Sequence, residues 1–161
     1  MTRANLQLSE HFWLSEFVRS QTATRLSIDN WPDDPVLVER LRALCLHVLE
    51  PVRAHFGRPV VITSGYRCPA LNAQTPGSAN TSQHTRAEAA DHEVPGVSNS
   101  EVAGYIRDEL PFDQLILEGA SADDPAAGWV HVSFREGARR GEVLTATFVD
   151  GRARYQRGLV A

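Results

Sequence analysis

The stretch Gly57-Arg58-Pro59-Val60-Val61-Ile62-Thr63-Ser64 marks the point where the hydrophobic pattern of the chain changes period. Upstream, between Val36 and Phe56, the residues Val38, Leu41, Cys45, Val48 and Val52 recur at three- and four-residue steps. That spacing predicts a helix with a single buried stripe. Pro51 is expected to kink the helix or divide it in two, and Gly57 to stop it. Pro59 to Ser64 then reads as a buried strand, closed by the turn residues Gly65-Tyr66-Arg67-Cys68-Pro69.

Outward from this junction the two halves differ in kind. On the N-terminal side, Ser9 to Asn30 predicts a short helix with connections, with Ser15 and Ser20 as hydroxyl caps. Asn30 to Pro35 is a loop. On the C-terminal side, Asn72 to Ser82 is rich in Asn, Gly, Ser, Thr and Pro, and reads as a loop. Strands are expected at Glu88–Val94, Phe112–Glu118 and Trp129–Phe134, with an amphipathic helix at Ser98–Leu110. Residues 143–155 predict a hairpin turning at Asp150-Gly151. Helices first and strands later, with short strand connections, favour an α+β fold: N-terminal helices packed on a mainly antiparallel sheet. With no internal repeat and no long linker, residues 1–161 are expected to form one domain.

Composition narrows the function. A net charge of -4 argues against a nucleic-acid partner, because phosphate neutralisation demands a basic stripe. No apolar run approaches the roughly 20 residues that span a bilayer. The first residues lack the charged-then-apolar layout of a secretory signal, so synthesis in the cytoplasm without an export address is expected. Two cysteines, Cys45 and Cys68, make neither a disulfide scaffold nor a thiolate metal site.

Alternation along the strands points to a metal site. In Glu88-Ala89-Ala90-Asp91-His92-Glu93-Val94, Asp91 shares a face with Ala89 and Glu93, and the small Ala89 leaves room for a carboxylate reaching into a cleft. In Trp129-Val130-His131-Val132-Ser133-Phe134, the face with Trp129, His131 and Ser133 opposes the apolar face of Val130, Val132 and Phe134. His84, in the Ser82-Gln83-His84-Thr85 loop, is close enough in sequence to fold onto the same cleft. Two imidazoles and a carboxylate with a fourth position open suit a catalytic zinc ion better than a structural one. Spacing alone leaves chance groupings open, given 6 histidines and 20 acidic residues. His11, His47, His55 and His92 are read as solvated or core imidazoles, His92 because it lies on the strand face opposite Asp91.

Ser64-Gly65-Tyr66-Arg67, then Ser82-Gln83-His84-Thr85-Arg86-Ala87-Glu88-Ala89-Ala90-Asp91, then Trp129-Val130-His131-Val132-Ser133 resemble the motif series of the zinc D-Ala-D-Ala carboxypeptidase family, peptidase family M15. Together with Ser9-Glu10-His11-Phe12 and Ser20-Gln21-Thr22-Ala23, they are most similar to its compact subgroup, often borne by phages and prophages. The resemblance runs from Leu8 to about Phe134. It implies zinc ligands at His84, Asp91 and His131 and a substrate-side role for Arg67, whose planar guanidinium suits a carboxylate or an oxyanion. Ala87 stands where that family usually has glycine, a mild change unless the position needs a positive φ. Some of its members place a glutamate three residues before the last histidine, where this chain has Gly128.

The general base must then come from elsewhere. If Leu115 and Leu117 face the core, Gln114 and Glu118 face the cleft. Glu118 is the candidate base and Asp113 the reserve, with a solvated strand-end charge as the plain alternative for Glu118. Ser82 is read either as a donor to substrate or as a cap of its own loop, and Trp129 either as a cleft wall or as packing. The expected function is a zinc metallopeptidase acting on peptidoglycan stem peptides as carboxypeptidase or endopeptidase, a phage lysin or tail-associated enzyme. It is expected to work as a monomer at the cell wall. The alternative is a non-catalytic cell-wall-binding or virion structural domain that keeps the fold. A weaker third reading is a zinc hydrolase acting on another amide.

Overall fold

The computed structural model describes residues 3–137 and 139–160. Two short helices come first, α1 (Leu14–Val18) and α2 (Gln21–Arg25). Ser20 caps α2 as expected, its hydroxyl accepting from the Ala23 N–H at 3.2 Å. Ser15 does not cap α1. The cap lies two residues earlier at Trp13, whose N–H is taken by the Glu16 carboxylate at 2.7 Å. Ser15 is held inside the first turn by Asn5.

The long stripe forms α3 (Pro35–Leu44), a π-helical turn at Cys45–Leu49, and α4 (Glu50–Phe56). Pro51 accounts for the π turn. Proline has no N–H to give to the preceding turn, and its ring crowds the carbonyl of the residue four earlier. The ladder widens just before it, with the Glu50 N–H reaching back to the Cys45 carbonyl. One inserted residue relieves the clash without breaking the helix. Leu41, Leu44, Cys45, Val48, Leu49 and Val52 are fully buried, each large apolar side chain contributing about 1.5–3 kcal/mol.

The strands are β1 (Val61–Ser64), β2 (Ala89–Glu93), β3 (Gln114–Glu118), β4 (Trp129–Ser133), β5 (Glu142–Val149) and β6 (Arg152–Arg157). They form one six-stranded sheet in the order β1-β2-β4-β3-β5-β6. Every pairing is antiparallel except β3 with β5. The α+β expectation holds, with a mainly antiparallel sheet. The β5–β6 hairpin turns at Asp150-Gly151, both at positive φ (50° and 74°), the conformation that matches strand twist in a two-residue turn. Two further helices are α5 (Pro69–Ala73) and α6 (Asn99–Glu109), so the loop expected from Asn72 begins instead inside a short helix. Ser98 and Glu101 cap α6 reciprocally.

The sheet is two-sided in function. Ile62, Ala90, Leu115, Leu117, Val130 and Val132 face a core shared with α1, α3, α4 and α6. Alternation then sends Asp91, His131, Ile116 and Glu118 to the opposite face, which floors a groove of about 1110 Å³. No helix among the described residues is long and apolar enough to cross a membrane.

Candidate metal centre and groove

Register brings two of the three expected ligands together without any loop. Asp91 on β2 is the direct cross-strand partner of His131 on β4, and their side chains meet at 3.0 Å, His131 Nδ1 to Asp91 Oδ1. His84 arrives from outside the sheet. Its Nε2 lies 3.5 Å from the same Asp91 oxygen. One donor atom from each of His84, Asp91 and His131 lies within 4.8 Å of the others.

The segment that carries His84 is a single tight turn with both ends closed. The Ser82 hydroxyl accepts from the His84 N–H at 3.3 Å, so Ser82 is the cap of its loop as well as a groove residue. At the other end, the Glu88 N–H reaches the Gln83 carbonyl and the Ala87 N–H reaches the His84 carbonyl. These are the two bonds of a Schellman closure, which puts its penultimate residue in the left-handed region. That residue is Ala87, at φ 56°. The position does need a positive φ, and alanine bears it.

The imidazoles are oriented by partners outside the ligand set. His84 Nδ1 donates to the Gly65 carbonyl at 2.7 Å, which fixes the ring with Nε2 turned toward Asp91. Gly65 is irreplaceable on steric grounds, since a Cβ there would stand 2.6 Å from the Phe17 carbonyl oxygen. His131 directs Nε2 to the Gln83 side-chain oxygen at 3.5 Å, and the Gln83 amide donates to Asp113 at 2.7 Å. Asp113 is gripped by Arg140 at 2.9 Å and is nearly buried. The reserve base is therefore an anchor, its acidity increased by Arg140 and Gln83 against the effect of burial. For Asp91, burial raises the pKa but the two histidines outweigh it and hold the carboxyl well below its usual range. Two imidazole nitrogens and one carboxylate oxygen beside an open groove fit a divalent metal ion.

Glu118 shares the groove face with His131, one strand over and paired with Trp129. Burial, then repulsion from Asp91, raises its pKa to about 7, against the pull of His131, the Trp129 indole and Arg67. The Trp129 indole N–H makes no hydrogen bond of standard geometry among the described residues, so its effect on Glu118 is one of proximity. Gly128 leaves no room for a glutamate three residues before His131. A Cβ at Gly128 would lie 1.9 Å from the Glu118 carbonyl oxygen, so no side chain fits there.

Arg67 follows β1, its guanidinium 3.5 Å from the Ser82 hydroxyl and its buried Nε without a partner among the described residues. No motif around it points to what steadies it. Asn30, expected only as a loop residue, is buried and donates to the Val18 and Tyr66 carbonyls while accepting from the Cys68 N–H. It clamps the turn on both sides of Arg67. Trp129 lines the groove and packs against Phe148, centroids 5.9 Å apart. The other histidines stay out: His11 pairs with Glu50, His47 stacks on Phe134, His55 stacks on Tyr105 and His92 is fully buried.

No curated protein matches the chain. A family model described as Peptidase M15 matches residues 10–133, a span that holds His84, Asp91, His131, Arg67 and Glu118. The chain belongs to the peptidase M15 family.

Proposed function

We propose that the protein is a zinc-dependent peptidase that hydrolyses peptide bonds in peptidoglycan stem peptides, as a carboxypeptidase or endopeptidase. The observation that carries the reading is the grouping of His84, Asp91 and His131 within 4.8 Å on the floor of a groove. Zinc is the metal of choice for two imidazoles and one carboxylate with an open position. When bound, zinc supplies a Lewis acid that polarises a peptide carbonyl and makes water a usable nucleophile near neutral pH.

The chain's own residues supply the rest. Glu118, with a pKa of about 7, is matched to taking a proton from the attacking water and returning it to the leaving amine. Arg67, half-buried in the groove lining with its guanidinium 3.5 Å from the Ser82 hydroxyl, is set to bind a substrate carboxylate or the developing oxyanion. Ser82 and Trp129 line the substrate path. The protein acts as a monomer on cell-wall peptides, consistent with a lysin or tail-associated enzyme.

The test combines metal analysis with mass spectrometry of digested peptidoglycan for wild type, His84→Ala and Glu118→Gln. Wild type should hold one zinc and release amino acid or peptide. His84→Ala should lose both properties, and Glu118→Gln should keep zinc and lose turnover. A zinc-loaded wild type that cleaves no peptidoglycan preparation would contradict the reading and favour a wall-binding domain.

A further inference from the structure

A row of directly paired residues crosses the groove face of the sheet: Trp129 on β4, Glu118 on β3, Ala146 on β5 and Tyr155 on β6. Direct cross-strand partners share a face. With strands about 4.8 Å apart, Tyr155 stands two strands from Glu118, and only the methyl of Ala146 separates their side chains. Ala146 is fully buried although its side chain points to the groove face, as expected if larger neighbours lean over it. Tyr155 lines the same groove as the metal cluster, and the residue remains 60% exposed. Burial and then the charge of Glu118 raise its phenol pKa, which keeps the hydroxyl a donor. Phe148, two residues beyond Ala146 and 47% exposed, extends the same wall toward Trp129. The hairpin that carries both lies outside residues 10–133.

We propose that Tyr155 is a substrate-contacting residue, its hydroxyl donating a hydrogen bond to the peptide held over Glu118. Arg67 follows β1 at one edge of the sheet and Tyr155 sits on β6 at the other. Asp91, His131 and Glu118 lie on the strands between them. The bound peptide is thereby held from both sides. The inference rests on the peptidase reading above.

The test uses the zinc-loaded full chain as wild type, Tyr155→Phe, Tyr155→Ala and Arg154→Ala. Arg154 is the control, since alternation puts it on the opposite face of β6. Turnover of peptidoglycan peptides is measured alongside zinc content, and binding of the uncleaved peptide is measured in a Glu118→Gln background. Loss of a donor to the reacting peptide should lower kcat/KM at least about tenfold in Tyr155→Phe. Tyr155→Ala should lose at least as much, zinc content should be unchanged, and Arg154→Ala should stay within about twofold of wild type. Tyr155→Phe and Tyr155→Ala both within about twofold of wild type would overturn the inference. So would activity lost in Tyr155→Ala but kept in Tyr155→Phe, because the ring alone would then suffice. An active wild type with unaffected variants overturns this inference alone. A zinc-loaded wild type without turnover or peptide binding overturns the peptidase reading, and the inference with it.

Discussion

Glu118 is buried enough to resist ionisation and faces the negative Asp91, yet it lies within reach of His131, Trp129 and Arg67. Its pKa of about 7 has a consequence for stability that needs no substrate. Between the ordinary carboxylate value of 4.5 and about 7, the folded chain holds a proton that the unfolded chain has released. This contribution is fully present below pH 4.5 and is lost as pH rises through 7. In metal-free protein at pH 8, Glu118→Gln should therefore be more stable than wild type by about 1–2 kcal/mol, a figure reduced for the partial exposure of the group. The gap should close as pH falls toward 4.5. Denaturant titration at both pH values checks it, and an equal gap throughout would contradict it. Ala87 shows a second effect at this scale. Its place in the motif was legible, but its φ of 56° comes from the closure formed by Gln83, His84 and Glu88, which no spacing reveals. Ala87→Gly relieves strain of about 1 kcal/mol but loses a buried methyl of similar worth and adds unfolded-state entropy. It should be close to neutral by thermal melting. Ala87→Val, β-branched in the left-handed region, should cost upward of about 2 kcal/mol.

The strands were legible because alternation assigned Asp91, His131 and Glu118 to one face and Leu115, Leu117, Val130 and Val132 to the other. The long helix was legible too, apart from the π turn with which Cys45–Leu49 absorbs Pro51. What alternation could not supply was the support behind the ligands. Gln83, Asp113 and Arg140 are far apart in the chain, and only the crossing from β4 to β5 brings Arg140 beside Asp113, with the Glu142 N–H bonded to the Asp113 carbonyl. The same holds for Asn30, whose amide looks like an ordinary loop residue until the Tyr66 turn closes on it. The Gln83 bridge has a measurable effect on the metal. Gln83→Ala removes the acceptor for His131 Nε2 and a donor to Asp113. Zinc affinity, read by chelator competition, should fall about 10- to 100-fold. Affinity within about twofold of wild type would show that His131 is oriented by its strand alone.

At the scale of the molecule, helices cover one face of the sheet and leave the other as the groove floor, so the metal cluster joins two strands to a turn from outside the sheet. A metal bound there ties β2 and the turn just before it to β4, with 40 positions separating Asp91 from His131, and it binds the folded chain in preference to the unfolded one. Zinc at about a hundred times its dissociation constant should add about 2.7 kcal/mol of stability. For a chain of this size, that is a rise of roughly 5–10 °C in Tm, reversed by a chelator. Magnesium at the same concentration should produce little change, because it prefers oxygen ligands. Zinc content per chain, after equilibration and removal of free metal, decides whether His84, Asp91 and His131 form a zinc site. The expected result is one zinc per wild-type chain and none in His84→Ala with the fold retained. Zinc absent from wild type, or equally present in folded His84→Ala, would contradict it.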